Sequence, residues 1–548
     1  MKKLRISVTS LVLAVAASAT ASYGQTPAAA PKVLYDFGHQ TGDPTGPEFG
    51  YWAQGRDGNL YSTAPTGGAN GEGAAFYFSP AGSLTVVHSF TGSDGSAPYS
   101  GLTLGTDGNF YGTTTAGGTN GAGTVFQING STLAFKSLYS FTGGSDGGGP
   151  YAPPVEGANG LLYGTTSGGG GTASCGTVYS ITSSGTLKTL HQFAGSAGSD
   201  GCAPIAPVAL GNDGNLYGTT NVGGSADQAG TVFKMASSGT LTLLHSFAVA
   251  DGYEPNGLVL GTDGNFYGTT AAGGTSGYGV VFKITPAGAF TSLYSFAGGT
   301  SDGAQPYAGL VQANNGEFFG VTTNGGVNGD GTLFGGTAAA GFPDLYNFAQ
   351  TTTGEIPEAP LFQSTNGLLY GDTFRGGSNG EGTFFSANLG LHPFVSLSPT
   401  VGKVGNIIGI FGQGFTGTTM VSFDGTSAVY SILSGTFIEA YVPAGAETGS
   451  VTVTTPGGTL TSNKKFRVTP QITGLAPPSG VVGTAVTITG NSLTQTTRVT
   501  FGGIAAAFTV NSDTEVTATV PTGAVSGKIG IVTPGGSVAS ATSFTVTP

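Results

Sequence analysis

One stretch of this chain, residues 261–282 (GTDGNFYGTTAAGGTSGYGVVF), returns seven times in recognisable form. Three aromatic anchors keep the count. An L-Y-S-F-like run ends at Phe37, Phe90, Phe141, Phe193, Phe247, Phe296 and Phe348, at intervals of 49 to 54 residues. The aromatic of N-F-Y-G-T falls at Tyr61, Tyr111, Tyr163, Tyr217, Tyr267, Phe319 and Tyr370, and that of G-T-V-F at Phe76, Phe126, Tyr179, Phe233, Phe282, Phe334 and Phe385. Each unit predicts four short strands, a to d, typified by residues 257–261, 266–270, 280–284 and 290–296. Asp263-Gly264 predicts a two-residue hairpin between a and b, and Pro286 presets φ in the c–d turn. No helical periodicity intervenes. Four strands in each of seven units of this length is the pattern of a β-propeller.

The ends of the array are complementary. Residues 33–37 read as a lone strand d, whereas the last unit has a, b and c and no d. The N-terminal strand can therefore complete the last blade and remove an open sheet edge. The predicted fold is all-β: a seven-bladed β-propeller over 33–391 closed by an N-terminal strand, followed by two immunoglobulin-like β-sandwich domains at 394–468 and 470–548.

Composition narrows location and partners. Charged residues are 8% of the chain, against about 25% in ordinary soluble proteins, so turns and hydroxyl side chains carry solubility. The net charge is −12, and the 16 Lys and Arg form no run longer than the pairs Lys2-Lys3 and Lys464-Lys465. That excludes a phosphate-backbone partner, which needs clustered cations. Lys2, Lys3 and Arg5 precede an apolar run over 6–17, which predicts a secretory signal over 1–24, cleaved after Ala21 or Gly24. Residues 25–32 form a linker. No later stretch is apolar for long enough to span a membrane as a helix.

The repeat wording T-D-G-N-F-Y-G-T-T, G-G-T-N-G and G-T-V-F-K-I-T resembles the GloVer-type tandem repeats of secreted bacterial proteins, over about residues 33–390. The resemblance implies a secreted or surface repeat protein and brings no catalytic residues. Residues 397–468 align with 475–546 at a constant offset of 78. P-x-S-G-x-V-G-T-x-V-T-I-T-G, V-x-F-G-G and T-P-G-G in the second copy resemble the IPT/TIG immunoglobulin-like domain. That resemblance implies spacers or binding modules.

Seven copies allow comparison within one chain. His88, His191 and His245 replace Tyr35, Tyr139, Tyr294 and Tyr346 in strand d and read as aromatic exchanges. His39 and His392 stand outside any catalytic motif. Trp52 aligns with Leu102, Leu258 and Leu310 and reads as a core residue. Asp43, Asp94, Asp146, Asp200, Asp251 and Asp302 recur in the d–a loops, on one face. They read either as a ring for Ca²⁺ or a polyol or as Asp-Gly turn chemistry. Cys175 and Cys202 lie in neighbouring loops of that face, and two cysteines in an exported chain predict a disulfide. No catalytic, cofactor or unique carboxylate pair stands out.

These readings predict a monomeric, non-enzymatic secreted or surface protein. Its loop face would bind a polysaccharide or a surface protein, with the immunoglobulin-like domains as spacer. The alternatives are an extracellular polysaccharide-active hydrolase or lyase, which requires singular polar residues in the central cleft, and a structural protein without a soluble ligand.

Overall fold

The computed structural model describes residues 30–195, 200–224 and 227–548; the leader over 1–24 lies outside them. Seven antiparallel sheets follow one another along the repeat. The fifth runs Val259–Leu260, Phe266–Ala272, Val280–Ile284 and Phe290–Ser295. Its first strand is shorter than the sequence predicts and its second longer. The seventh is built from Phe362–Gln363, Leu369–Thr373 and Thr383–Ala387, and Lys32–Asp36 pairs antiparallel with the last of these. Among the described residues the only helical turn is a 3₁₀ turn, Gly171–Ala173.

Apolar clusters fill the space between successive sheets. Tyr217, Val232 and Phe247 of the fourth meet Phe266, Phe282 and Ile284 of the fifth. Phe37, Tyr370 and Phe384 of the seventh meet Trp52, Phe76 and Phe78 of the first in the same manner. The glycine of N-F-Y-G-T makes room for this packing: a Cβ on Gly268 would lie 2.7 Å from Phe282 Cζ.

Two local features depart from simple alternation. Opposite the G-T-V-F aromatic, every outer strand d shifts register against strand c. Such bulges increase local twist. The a–b connection is also not the predicted two-residue hairpin. Gly264 N–H donates to Gly261 C=O (2.9 Å), Gly261 N–H to Asn265 C=O (2.8 Å), and Gly264 alone takes a left-handed φ of 82°. The side chains select this wider turn: Asp263 accepts from Asn265 N (3.0 Å), Asn265 Nδ2 (2.7 Å) and Tyr267 Oη (2.8 Å). The D-G-N-x-Y wording thus ties the turn to the ring that fills the inter-sheet space, and burial with Asp263 pushes the Tyr267 phenol up to about 12.

The two C-terminal copies are sandwiches of matching construction. Phe423 and Phe466 meet edge-to-face at 5.2 Å and 83°, as do Phe501 and Phe544, 78 positions on. The first sandwich docks on the a–b turn face of the repeats. Arg56 lies 4.6 Å from the Phe437 ring centroid, Thr436 and Ser434 hydroxyls donate to Arg56 C=O (2.8 and 3.2 Å), and Arg467 donates to Asn212 C=O (2.8 Å).

Candidate functional site

The d–a loops are set by one repeated device. A proline recurs at 47, 98, 150, 204, 255, 306 and 357. The residue before each is left-handed, with φ between 50° and 60°: Gly46, Ala97, Gly149, Ala203, Glu254, Gln305 and Ile356. Side chains rarely adopt this conformation, and it costs of order 1 kcal/mol or more. Each of these residues donates its N–H to a loop carbonyl of the preceding sheet. Ala97 N reaches Glu72 O (3.0 Å), Gln305 N reaches Tyr278 O (2.9 Å), and Gly46 N reaches Glu381 O (2.9 Å) from the first sheet to the seventh. The bond holds the strained backbone and fixes the next side chains at the inner mouth.

Those side chains are where the copies differ. After the proline stand Glu48, Tyr99, Tyr151, Ile205, Asn256, Tyr307 and Glu358. Phe49, Tyr51, Tyr151, Ile205, Asn256, Tyr307 and Glu358 line a cavity of about 420 Å³. Tyr99 extends the aromatic wall, with ring centroids 5.5 Å from Tyr151 and 6.4 Å from Phe49. Tyr51 is the floor. Its hydroxyl reaches from the first sheet to Gly257 of the fifth, where a Cβ would lie 2.8 Å away. A second cavity of similar size shares Tyr51 and is lined on its other side by Phe394, Phe411 and Lys464 of the first sandwich.

The carboxyl groups of this mouth are unusual for a surface loop. The Glu48 and Glu358 carboxyls are close neighbours. Burial, then the neighbouring Glu48, pushes Glu358 up to about 8; burial also raises Glu48 and Glu254. Two carboxyls in contact cannot both ionise freely. Behind them Asp372, 2% exposed, accepts from Trp52 Nε1 (3.0 Å) and keeps its Oδ1 unpartnered. Burial pushes it up to about 7.

Singular polar groups therefore do occupy the inner mouth, contrary to the comparison of copies above. The aromatic anchors do not extend to these positions: Glu48 and Glu358 follow the proline where Tyr99, Tyr151 and Tyr307 do in other copies, and Asp372 stands where Thr63, Thr113, Thr165, Thr219 and Thr269 stand. Trp52 is 6% exposed and packs 4.9 Å from Phe384, within the core.

The recurring aspartates are engaged by their own loops. Asp43 accepts from Tyr35 Oη (2.6 Å) and Gln40 N (2.8 Å), and Asp302 from Tyr294 Oη (3.1 Å) and Ala297 N (2.6 Å). Asp146 accepts from Tyr139 Oη (3.0 Å) and Thr142 N (2.9 Å). Where strand d carries histidine, His88 meets Asp94 and His191 meets Asp200, each at 2.9 Å, and His245 lies 3.2 Å from Asp251. The Tyr-to-His exchange thus preserves a ring-to-carboxylate contact. Burial opposes ionisation of Asp94, yet hydrogen bonds from Thr91 and His88 hold its carboxyl below the usual range. Among the described residues no group of three or more His, Cys, Asp or Glu is gathered as a metal site. Cys175 and Cys202 are bonded to each other, with Cα atoms 4.6 Å apart.

Comparison with known proteins places this architecture. The Gloeobacter/Verrucomicrobia repeat model matches residues 18–206 and 170–385. The chain belongs to that repeat family. IPT/TIG domain models match 394–468 and 470–546. The chain is 32% identical over 196 residues to a cyclomaltodextrin glucanotransferase of Paenibacillus macerans, a match covering 30% of this chain. It spans about a quarter (27%) of that curated relative's length. Among solved structures, an oligogalacturonate lyase of Vibrio parahaemolyticus is 12% identical, with 66% of this chain and 91% of that one covered and a TM-score of 0.41. SGBP-B from a xyloglucan utilization locus of Bacteroides uniformis is 20% identical, with 28% and 50% covered and a TM-score of 0.15. Among the described residues, no helix of this repeat protein is long and apolar enough to cross a membrane.

Proposed function

We propose that this is an exported, carbohydrate-related surface protein whose repeats form a closed seven-bladed propeller and hold a saccharide at the inner mouth. Closure is supported by the bond from Gly46 to Glu381 and by the seam cluster around Phe37, Trp52 and Phe384, which repeat the contacts made between other neighbours. The observation that carries the ligand class is the mouth cavity. Tyr51, Tyr151, Tyr307 and Phe49 offer ring faces beside the polar Asn256 and Glu358. Sugars present both an apolar face and hydroxyls, and such a wall serves both. The first sandwich docks on the opposite face and the two act as spacer, leaving the mouth open. A glycan-binding screen of the full mature chain, repeated with Tyr151→Ala, tests this. Loss of binding in the variant is expected; binding that persists unchanged places the ligand elsewhere.

The Glu48–Glu358 contact favours a second reading, an extracellular polysaccharide-active enzyme. Glu358, raised by burial and its neighbour, can hold a proton for general acid or base chemistry. Release of reducing ends, or of unsaturated products absorbing in the ultraviolet, that vanishes in Glu358→Gln would establish it. Turnover unaffected by that variant would dismiss it.

A further inference from the structure

We propose that the inner mouth selects a saccharide carrying protonated amines, an amino sugar with its nitrogen unacylated. The inference rests on the saccharide reading and sharpens it. Glu358 lines the mouth with Phe49, Tyr151 and Tyr307, Tyr99 packs beside Tyr151, and Glu48 and Glu254 flank the recurring proline of their own loops. The charges of Glu48 and Glu358 reach Tyr99, and those of Glu254 and Glu358 reach Tyr307. Asp372 adds a buried carboxyl with one oxygen unpartnered, and its charge reaches Glu358. Against these stands Arg375, whose charge reaches both Glu48 and Glu358 and whose guanidinium lies 5.0 Å from the Phe374 ring centroid. The mouth therefore has acceptor and π character in excess of donors.

Each ligand class meets this surface differently. A uronic acid polymer would bring further negative charge to a crowded carboxyl pair. A neutral glycan would stack but leave the crowding of Glu48 and Glu358 in place. An ammonium group answers both features: it is attracted to the faces of aromatic rings, and an opposite charge within a few ångströms favours the ionised form of a carboxyl. Tyrosines framing acidic side chains form the kind of cage that recognises organic cations. The sugar rings on either side of the amine would lie against Tyr151 and Tyr307.

The test is calorimetric titration of the full mature chain at about pH 6, where an amine of ordinary basicity is protonated. Four probes are compared: β-1,4-linked tetramers of glucosamine, N-acetylglucosamine and glucose, and a galacturonate tetramer. The glucosamine tetramer is expected to bind at least about tenfold tighter than its N-acetylated counterpart. That preference should fall by about tenfold in Glu358→Gln and in Glu48→Gln, with unchanged melting temperatures certifying the fold. Tyr307→Phe keeps the ring face and should retain the preference, whereas Tyr307→Leu should lose it. Equal or tighter binding of the neutral, acetylated or acidic tetramer overturns the amine selectivity while leaving a saccharide site in place. Silence from all four probes overturns both.

Discussion

The indole Nε1 of Trp52 donates to Asp372 Oδ2 across 3.0 Å, joining residues 320 positions apart at the seam between the first and seventh sheets. At five other seams a threonine hydroxyl does the equivalent work. Thr63 donates to Pro98 C=O (2.6 Å), Thr165 to Ala206 C=O (3.0 Å) and Thr269 to Ala308 C=O (2.7 Å).

Asp372 makes this seam sensitive to pH. Burial raises its folded-state pKa to about 7, above the ordinary value of about 3.9. A raised pKa contributes stability that is fully present below the unfolded value and is lost as pH rises through the folded one. The melting temperature should fall between about pH 4 and pH 7, and Asp372→Asn should flatten part of that slope. An identical slope in the variant would remove Asp372 from the explanation, leaving Glu358 and Asp344, raised by burial to about 8 and about 6.

Thr269→Val should destabilise the repeat by about 1–2 kcal/mol, because the Ala308 carbonyl loses its partner in a buried setting. The sixth sheet carries Val321 at this position, so the substitution is sterically tolerated by the fold. Denaturant titration measures the difference, and a value near zero would make the hydroxyl bond dispensable.

Reduction of Cys175–Cys202, or replacement of both by serine, should cost about 3–4 kcal/mol on loop-closure grounds, given a sequence separation of 27. Guanidinium unfolding with and without reductant checks this. The loss should centre on the third and fourth sheets, whose shared cluster contains Cys175 and borders Cys202.

Asp302→Ala should cost about 1–2 kcal/mol through loss of its bonds to Tyr294 and Ala297, and added Ca²⁺ should leave the melting temperature of the unmodified protein unchanged. A rise of several degrees with millimolar Ca²⁺ would restore the aspartates as ligands.

How much of this was legible in the sequence differs by level. Strand c of the fifth unit, Val280–Ile284, was readable to the residue because its aromatic anchor repeats. Strand a was not: near the crowded centre it pairs only over Val259–Leu260. The a–b turn misled because Asp-Gly suits a two-residue hairpin, whereas three hydrogen bonds to Asp263 enforce the wider one. The mouth was legible in principle. The proline before Glu48, Tyr99, Tyr151, Tyr307 and Glu358 recurs as faithfully as the aromatics, but nothing local reveals the left-handed residue ahead of it. That conformation depends on a carbonyl in the neighbouring sheet, a contact between units that no single unit encodes.

The pairing of Lys32–Asp36 with Thr383–Ala387 has a consequence for how the chain matures. The strand that leaves the ribosome first has its partner among the last residues of the repeat. Six sheets can assemble locally as they appear, while the seventh waits on a contact spanning some 350 positions. Contacts of such long range slow folding. Until it forms, Thr383–Ala387 presents an unpaired edge that could accept Lys32–Asp36 from another molecule, so crowding during folding would favour strand-exchanged pairs over chains paired with themselves.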